Sequence, residues 1–150
     1  MGKTIAKNKK AYHEYIIKDV LECGMVLVGP EVKSIRAGKV NLKDSYAVIK
    51  NGEVWVHNLH ISPYKFATHA SPEPLRKRKL LLHRREIDKL TGKTQERGFT
   101  LIPVSMYFNE QGRIKIGIGM AKGKDLYDKR QTLKDKQADR EMNRIRKEYR

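Results

Sequence analysis

Apolar residues in this chain alternate with polar ones at a spacing of two over several stretches, the signature of strands half-buried on a core. Residues 13–28, HEYIIKDVLECGMVLV, are rich in β-branched and aromatic types and predict a long or bent strand with its break at Gly24. Gly29-Pro30 then opens a short helix over 30–37, with Val32 and Ile35 three apart on one face and Gly38 as its stop. Residues 45–50 and 53–61 flank Asn51-Gly52, a hairpin signal because both residues tolerate positive φ. Residues 62–74 hold Pro63, Pro72 and Pro74 without a clear period and read as a loop leading into Arg76-Lys77-Arg78-Lys79. After Leu80-Leu81-Leu82, the segment HRREIDKL places Ile87 and Leu90 at helical spacing, and Gly92 closes a second short helix.

Two further strands follow. Over residues 99–108, Ile102, Val104, Met106 and Phe108 share one side; after a turn at 109–112, residues 113–121 put Ile114, Ile116, Ile118 and Met120 on one face. The opposite face of that last strand carries Arg113, Lys115, Gly117 and Gly119, and is expected to be basic and bare, its glycines admitting another backbone. Hairpin-paired strands with two or three short helices predict a mainly β protein, a small antiparallel β-barrel of oligonucleotide-binding (OB) type.

Charge sharpens this picture. The 150 residues make one domain, with a net charge of +16. Nearly all of it sits in residues 1–10, 75–93 and 122–150, on an otherwise neutral body. Such concentration is what phosphate backbones attract through counterion release, so the partner expected is a nucleic acid. Composition does not choose between RNA and DNA. The domain reading is a basic N-terminal arm at 1–12, a barrel at 13–122 and a basic C-terminal tail at 123–150. Ala138, Met142, Ile145 and Tyr149 give that tail only a thin apolar stripe, so it is expected to be mobile when free and helical when a partner supplies surface. The longest apolar run, Met25 to Val28, is far short of a membrane span, and no apolar stretch follows the basic N-terminus, so a cytoplasmic protein with no membrane partner is expected.

Catalytic and metal chemistry find little support. Cys23, the single cysteine, has no basic neighbour to activate it. His57 and His60 would face opposite sides of a strand, and phosphate-loop, dinucleotide and zinc-protease motifs are absent. Trp55 and Phe108 are expected in the core, while Tyr12, after Lys9 and Lys10, is a candidate contact for a base or ribose.

The order of blocks NKKAYHEYII, EVKSIRAGKVNLKDSYAVI, GEVWVHNLHISPY, RKRKLLLHRREIDKLTG, GFTLIPVSMYF and KIGIGMAKGKDLYDKR resembles the small protein B family of SsrA-binding proteins. The resemblance implies an OB-type barrel that binds the tRNA-like domain of transfer-messenger RNA. It implies delivery of that RNA, with elongation factor Tu acting through the RNA, to stalled ribosomes. The protein would be an adaptor and not an enzyme, without a cofactor or metal, and monomeric when free. Carried over by motif, the residues facing the tRNA-like domain are Asn8, Glu22, Leu81 and Lys115, and the basic run Arg76, Lys77, Arg78 and Lys79 gains phosphates to meet. His13 would meet small-subunit ribosomal RNA. Gly123, Asp128, Lys129 and Arg130 would begin the tail that lies in the empty messenger channel and reaches the decoding region, with Lys134, Lys136 and Arg140 along it. Where many members carry Trp in the tail, Ala138 stands here. The alternative reading is a general OB-type RNA-binding or ribosomal protein.

Overall fold

The structure, a computed structural model, describes residues 3–66, 72–96 and 98–123. Chain order is β1 (Thr4–Lys7), α1 (Lys9–Glu14), β2 (Tyr15–Met25), α2 (Gly29–Arg36), β3 (Val40–Asn41), β4 (Tyr46–Lys50), β5 (Glu53–His57), β6 (His60–Ile61), β7 (Arg78–Leu81), α3 (Arg84–Glu96), β8 (Thr100–Phe108) and β9 (Ile114–Gly123). One seven-stranded antiparallel sheet runs β1-β8-β4-β5-β7-β2-β9, and a further pairing of β8 with β9 closes six of its strands into a ring. β3 and β6 form a separate small ladder. The mainly β, closed antiparallel architecture expected from the hydrophobic pattern is thus present.

Several local signals act as expected. Asn51 and Gly52 both take positive φ, 54° and 74°, and join β4 to β5 in direct register from Lys50–Glu53 to Tyr46–His57. Pro30 lies in the first turn of α2, the Glu31 carboxylate accepts from the Val28 N–H at 3.1 Å, and Gly38 with φ 75° follows the helix.

Other elements differ, each for an identifiable reason. Of the expected N-terminal arm, residues 3–12 are tied into the fold: β1 pairs with β8, and Asn8 caps α1, accepting from the Ala11 N–H at 3.0 Å. β2 therefore starts at Tyr15. Its irregularity falls between Lys18 and Leu21, where Asp19 has φ 52°, and not at Gly24, which pairs with Leu81. β5 stops at His57 because Asn58 turns the chain at φ 60°. α3 runs through Gly92 to Glu96, and Gly98 with φ 68° follows it; the Thr91 and Thr94 hydroxyls donate back to the Ile87 and Leu90 carbonyls.

A register shift between Pro103 and Ser105 splits the expected apolar side of β8. Met106 joins the main core with Cys23, Val54, Leu80 and Ile116, whereas Ile102 joins a second cluster with Ala11 and Ala121, flanked by Tyr15, Ile17 and Tyr46. That second cluster explains the glycines of β9. Gly117 and Gly119 are buried, and a Cβ on Gly119 would meet Ile17 Cγ2 and lie 3.3 Å from Val104 Cγ1. The face expected to be bare at these glycines is instead covered by Ile17, Val20 and Val104 of the chain itself. Trp55 and Phe108 are half-buried and stand outside the fully buried core.

The largest departure is Arg78, which is 0% exposed. It alternates inward with Leu80 on β7, and its Nε donates to Glu31 Oε2 at 2.6 Å. Its other nitrogens donate to the carbonyls of Leu59, Arg76 and Pro74 at 2.7, 3.1 and 3.0 Å. Arg76 holds the same Glu31 from two nitrogens, at 3.0 and 2.5 Å. Burial pushes the Glu31 pKa up, but the Arg76 and Arg78 hydrogen bonds and the Val28 N–H outweigh it and hold the carboxyl below its ordinary 4.5. Glu31→Gln, which leaves Arg78 charged and buried without its counterion, is expected to cost about 3–5 kcal/mol in urea denaturation. Because the folded pKa is depressed, the native protein keeps this contribution above the unfolded carboxylate pKa and loses it as pH falls through the folded value. An unchanged urea midpoint in the variant would contradict the assignment.

Candidate nucleic-acid interface

Strand alternation builds the site. Along β2, Cys23 and Met25 point into the core, and Glu22 and Gly24 point outward. Gly24 pairs with Leu81 of β7, which is 52% exposed, and a Cβ on Gly24 would lie 3.4 Å from Leu81 Cβ. The Leu81 side chain therefore rests over the Gly24 backbone and forms an open apolar step. On the other side of β2, Glu22 pairs with Gly117 and Cys23 with Ile116, so Lys115 comes next on the outer face of β9. Lys115 pairs in turn with Tyr107 of β8, whose hydroxyl donates to the exposed Glu22 carboxylate at 2.5 Å.

Four strands thus bring Leu81, Gly24, Glu22, Lys115 and Tyr107 onto one surface. Three of the sequence-expected residues, Glu22, Leu81 and Lys115, meet there, although they are widely separated along the chain. Tyr107 was missed, and its signal was its place on the polar side of the β8 alternation, with Ser105. Burial, and then the bond to Glu22, pushes the Tyr107 phenol pKa upward, so the hydroxyl stays a neutral donor and fixes Glu22 in place. The patch offers an apolar step, an ammonium, and a carboxylate that accepts from amino or hydroxyl donors, a set suited to base and sugar edges.

Other expected residues lie elsewhere. Asn8 is 4% exposed, and its amide donates to the Leu42 and Pro103 carbonyls at 3.1 and 2.9 Å while its oxygen holds α1. Its polar atoms are engaged within the fold, so the side chain shapes the surface and is not presented on it. The basic run divides by alternation: Arg78 is interior, Arg76 is locked on Glu31, Lys79 pairs with Glu53 at 2.6 Å, and Lys77 is exposed. The expectation that all four meet phosphate is corrected for Arg78, which has no access to solvent. His13 is exposed on α1, and Gly123 ends β9. Asp128, Lys129, Arg130, Lys134, Lys136 and Arg140 lie outside the described residues. No group of three or more His, Cys, Asp or Glu able to hold a metal occurs among the described residues.

The sequence model of the SmpB protein family matches residues 5–148. The chain belongs to the SmpB family. An SsrA-binding protein of Syntrophotalea carbinolica is 61% identical over 142 residues, covering 95% of this chain and 94% of the relative. One from Bacillus cytotoxicus is 55% identical over 143 residues, covering 95% and 92%. Among solved structures, a chain from "tmRNA-SmpB: a journey to the center of the bacterial ribosome" superposes with a TM-score of 0.67 at 46% identity. It covers 79% of this chain and 82% of that one. The ring of strands that carries the patch is therefore an SmpB fold.

Beneath the patch, Cys23 is 1% exposed, and burial, followed by the charges of Glu86 and Glu22, pushes its thiol up to about 12. Its reaction with an aromatic disulfide at pH 8 is expected to be at least about a hundredfold slower in the folded protein than in urea. Comparable rates in the two states would show that the strand carrying Glu22 and Gly24 is open to solvent.

Proposed function

We propose that this protein is the RNA-binding adaptor of trans-translation. It binds the tRNA-like domain of transfer-messenger RNA and takes it to stalled ribosomes. The observation that carries this reading is the meeting of Glu22, Leu81 and Lys115 on one outer surface of an SmpB fold, with Tyr107 fixing the carboxylate. The relatives bear the name SsrA-binding protein, and the structural neighbour is a tmRNA-SmpB complex on the ribosome.

In the mechanism that follows, the protein performs no bond chemistry. Lys115 supplies charge, Glu22 accepts from base or sugar donors, and Leu81 packs against an apolar ring face or ribose. Exposed cations such as Lys77 supply the salt-dependent part of the affinity. The buried Cys23 thiol offers no nucleophile. His13 faces small-subunit ribosomal RNA, and Lys129, Arg130, Lys134, Lys136 and Arg140 meet ribosomal RNA phosphates in a messenger channel left empty. A channel filled by messenger excludes them, which makes occupancy of the channel a steric signal. Work beside ribosomes places the protein in the cytoplasm, and among the described residues no helix is long and apolar enough to cross a membrane.

Lys115→Ala and Leu81→Asp are each expected to weaken binding to the tRNA-like domain by about tenfold with little change in melting temperature, measured by filter binding with elongator tRNA as competitor. Full affinity in both folded variants, or equal affinity for both RNAs, would remove the adaptor reading in favour of a general RNA-binding protein. A chain ended after Gly123 is expected to keep binding to this RNA and to lose peptide tagging on stalled ribosomes. Tagging at the native level would refute the role given to the residues beyond Gly123.

A further inference from the structure

The outer face that carries Leu81 continues across β7 onto β5 and β4. Lys79, two residues before Leu81 on the same side of the strand, pairs with Trp55, and Trp55 pairs on its other side with Val48. One step along the hairpin, Tyr46 pairs with His57, and their rings stack with centroids 5.1 Å apart at 16°. Val48, Lys50, Asn51, Glu53, Trp55, His57 and Lys77 line an open cleft of about 380 Å³.

The chemistry of this cleft is directional. Glu53, its one carboxylate, is neutralised by Lys79 at 2.6 Å, and the hydrogen bond and charge of Lys79 hold its carboxyl below the ordinary value. Lys50 and Lys77 are exposed at its border. Burial, and then the charge of Lys77, holds the His57 imidazole below its ordinary 6.5, so at neutral pH the ring is uncharged. Tyr46, His57 and half-buried Trp55 therefore make an aromatic strip edged by cations and continuous with the Leu81–Lys115 patch. Packing against Val48 alone would call for no such border. Flat π-faces bounded by ammonium groups are the recurring platform for unpaired bases, whose own faces stack without regard to sequence.

We propose that the Trp55 face, bordered by Lys50 and Lys77, extends the RNA surface. An unpaired base of the bound RNA stacks there while the two lysines meet the flanking phosphates. This rests on the RNA-binding reading above; Lys77 was already expected to meet phosphate, and what is added is the base-stacking contact at Trp55, with Lys50 beside it.

Trp55 is the only tryptophan in the chain, so its fluorescence reports this one site. The full-length protein is titrated with the tRNA-like domain and, separately, with a fully paired RNA duplex. Fluorescence and filter binding are followed in parallel. Binding of the tRNA-like domain is expected to quench Trp55 and shield it from acrylamide. Trp55→Leu, which keeps apolar bulk but loses the aromatic face, is expected to lose about tenfold in affinity for that RNA. Trp55→Phe should stay within about threefold of native, and duplex affinity should be unaffected. Should Trp55→Leu melt early, the native protein answers the same question: acrylamide should quench Trp55 less in the complex with the tRNA-like domain than in the duplex complex, and equal quenching in the two overturns the contact.

Native affinity in Trp55→Leu, together with unchanged Trp55 fluorescence when the native protein binds the tRNA-like domain, overturns the stacking contact and leaves the RNA-binding reading in place. Native RNA affinity combined with weakened ribosome binding overturns it as well, making the face a protein contact. No binding of the native protein to either RNA overturns both.

Discussion

The ring of strands depends on one buried ion pair. Glu31, in the first turn of α2, takes Arg78 of β7 at 2.6 Å, and Arg78 ties down the Leu59, Arg76 and Pro74 carbonyls as well. β7 is the short strand between β5 and β2, and without it the sheet would open at its middle. A hydrophobic residue in place of Arg78 could fill the same volume, yet it could not satisfy three carbonyls and a carboxylate at once. The charge thus specifies where the chain must lie as it leaves the segment after Pro74. By fixing Arg78 inward, it also fixes Lys79 and Leu81 outward, because side chains alternate along a strand. The functional surface inherits its register from an interaction on the opposite side of the backbone.

The outer surface is built in two different ways. Around Gly117, Gly119 and Ala121 the chain covers itself: β2 bends at Asp19, β8 shifts register after Pro103, and Ile17, Val20 and Val104 close over the glycines. Around Gly24 the same outer face is left open, and Leu81, Lys115, Tyr107 and Glu22 stand on it. Small residues serve both regions, in one case to admit the protein's own side chains and in the other to hold a surface low enough for a partner. Tyr107 ties the open region together by holding the one acid in place beside a lysine.

Local chemistry was well written in the sequence. Asn51-Gly52, Pro30, Gly38 and the alternation of Ile116, Ile118 and Met120 each specify their element within a few residues, and the structure follows them. Features set by distant partners were not legible. Arg78 looks like one more cation in a basic run, and only Glu31, 47 residues away, turns it inward. Asn8 reads as a polar residue beside two lysines, yet its amide is claimed by carbonyls 34 and 95 residues away. The bend at Asp19 and the shift at Pro103 leave no mark in hydrophobic periodicity, because a residue added to one strand exchanges faces without changing composition. The strand pattern marked Lys115, while Glu22 and Leu81 were named only through the family resemblance. Their meeting, and the part of Tyr107, needed the pairing of four strands.

The central claim is that RNA is met by the outer face of the ring at β7, β2, β9 and β8. Backbone amide shifts of isotope-labelled protein, followed through a titration with the tRNA-like domain at physiological salt, test it most directly. The account predicts perturbations concentrated at Glu22, Gly24, Leu81, Tyr107 and Lys115 and reaching Trp55 on β5, with α2 and the Glu31–Arg78 pair quiet. Perturbations spread evenly over the exposed lysines, or centred on α2, would contradict it and would mean that charge alone brings the RNA to this protein.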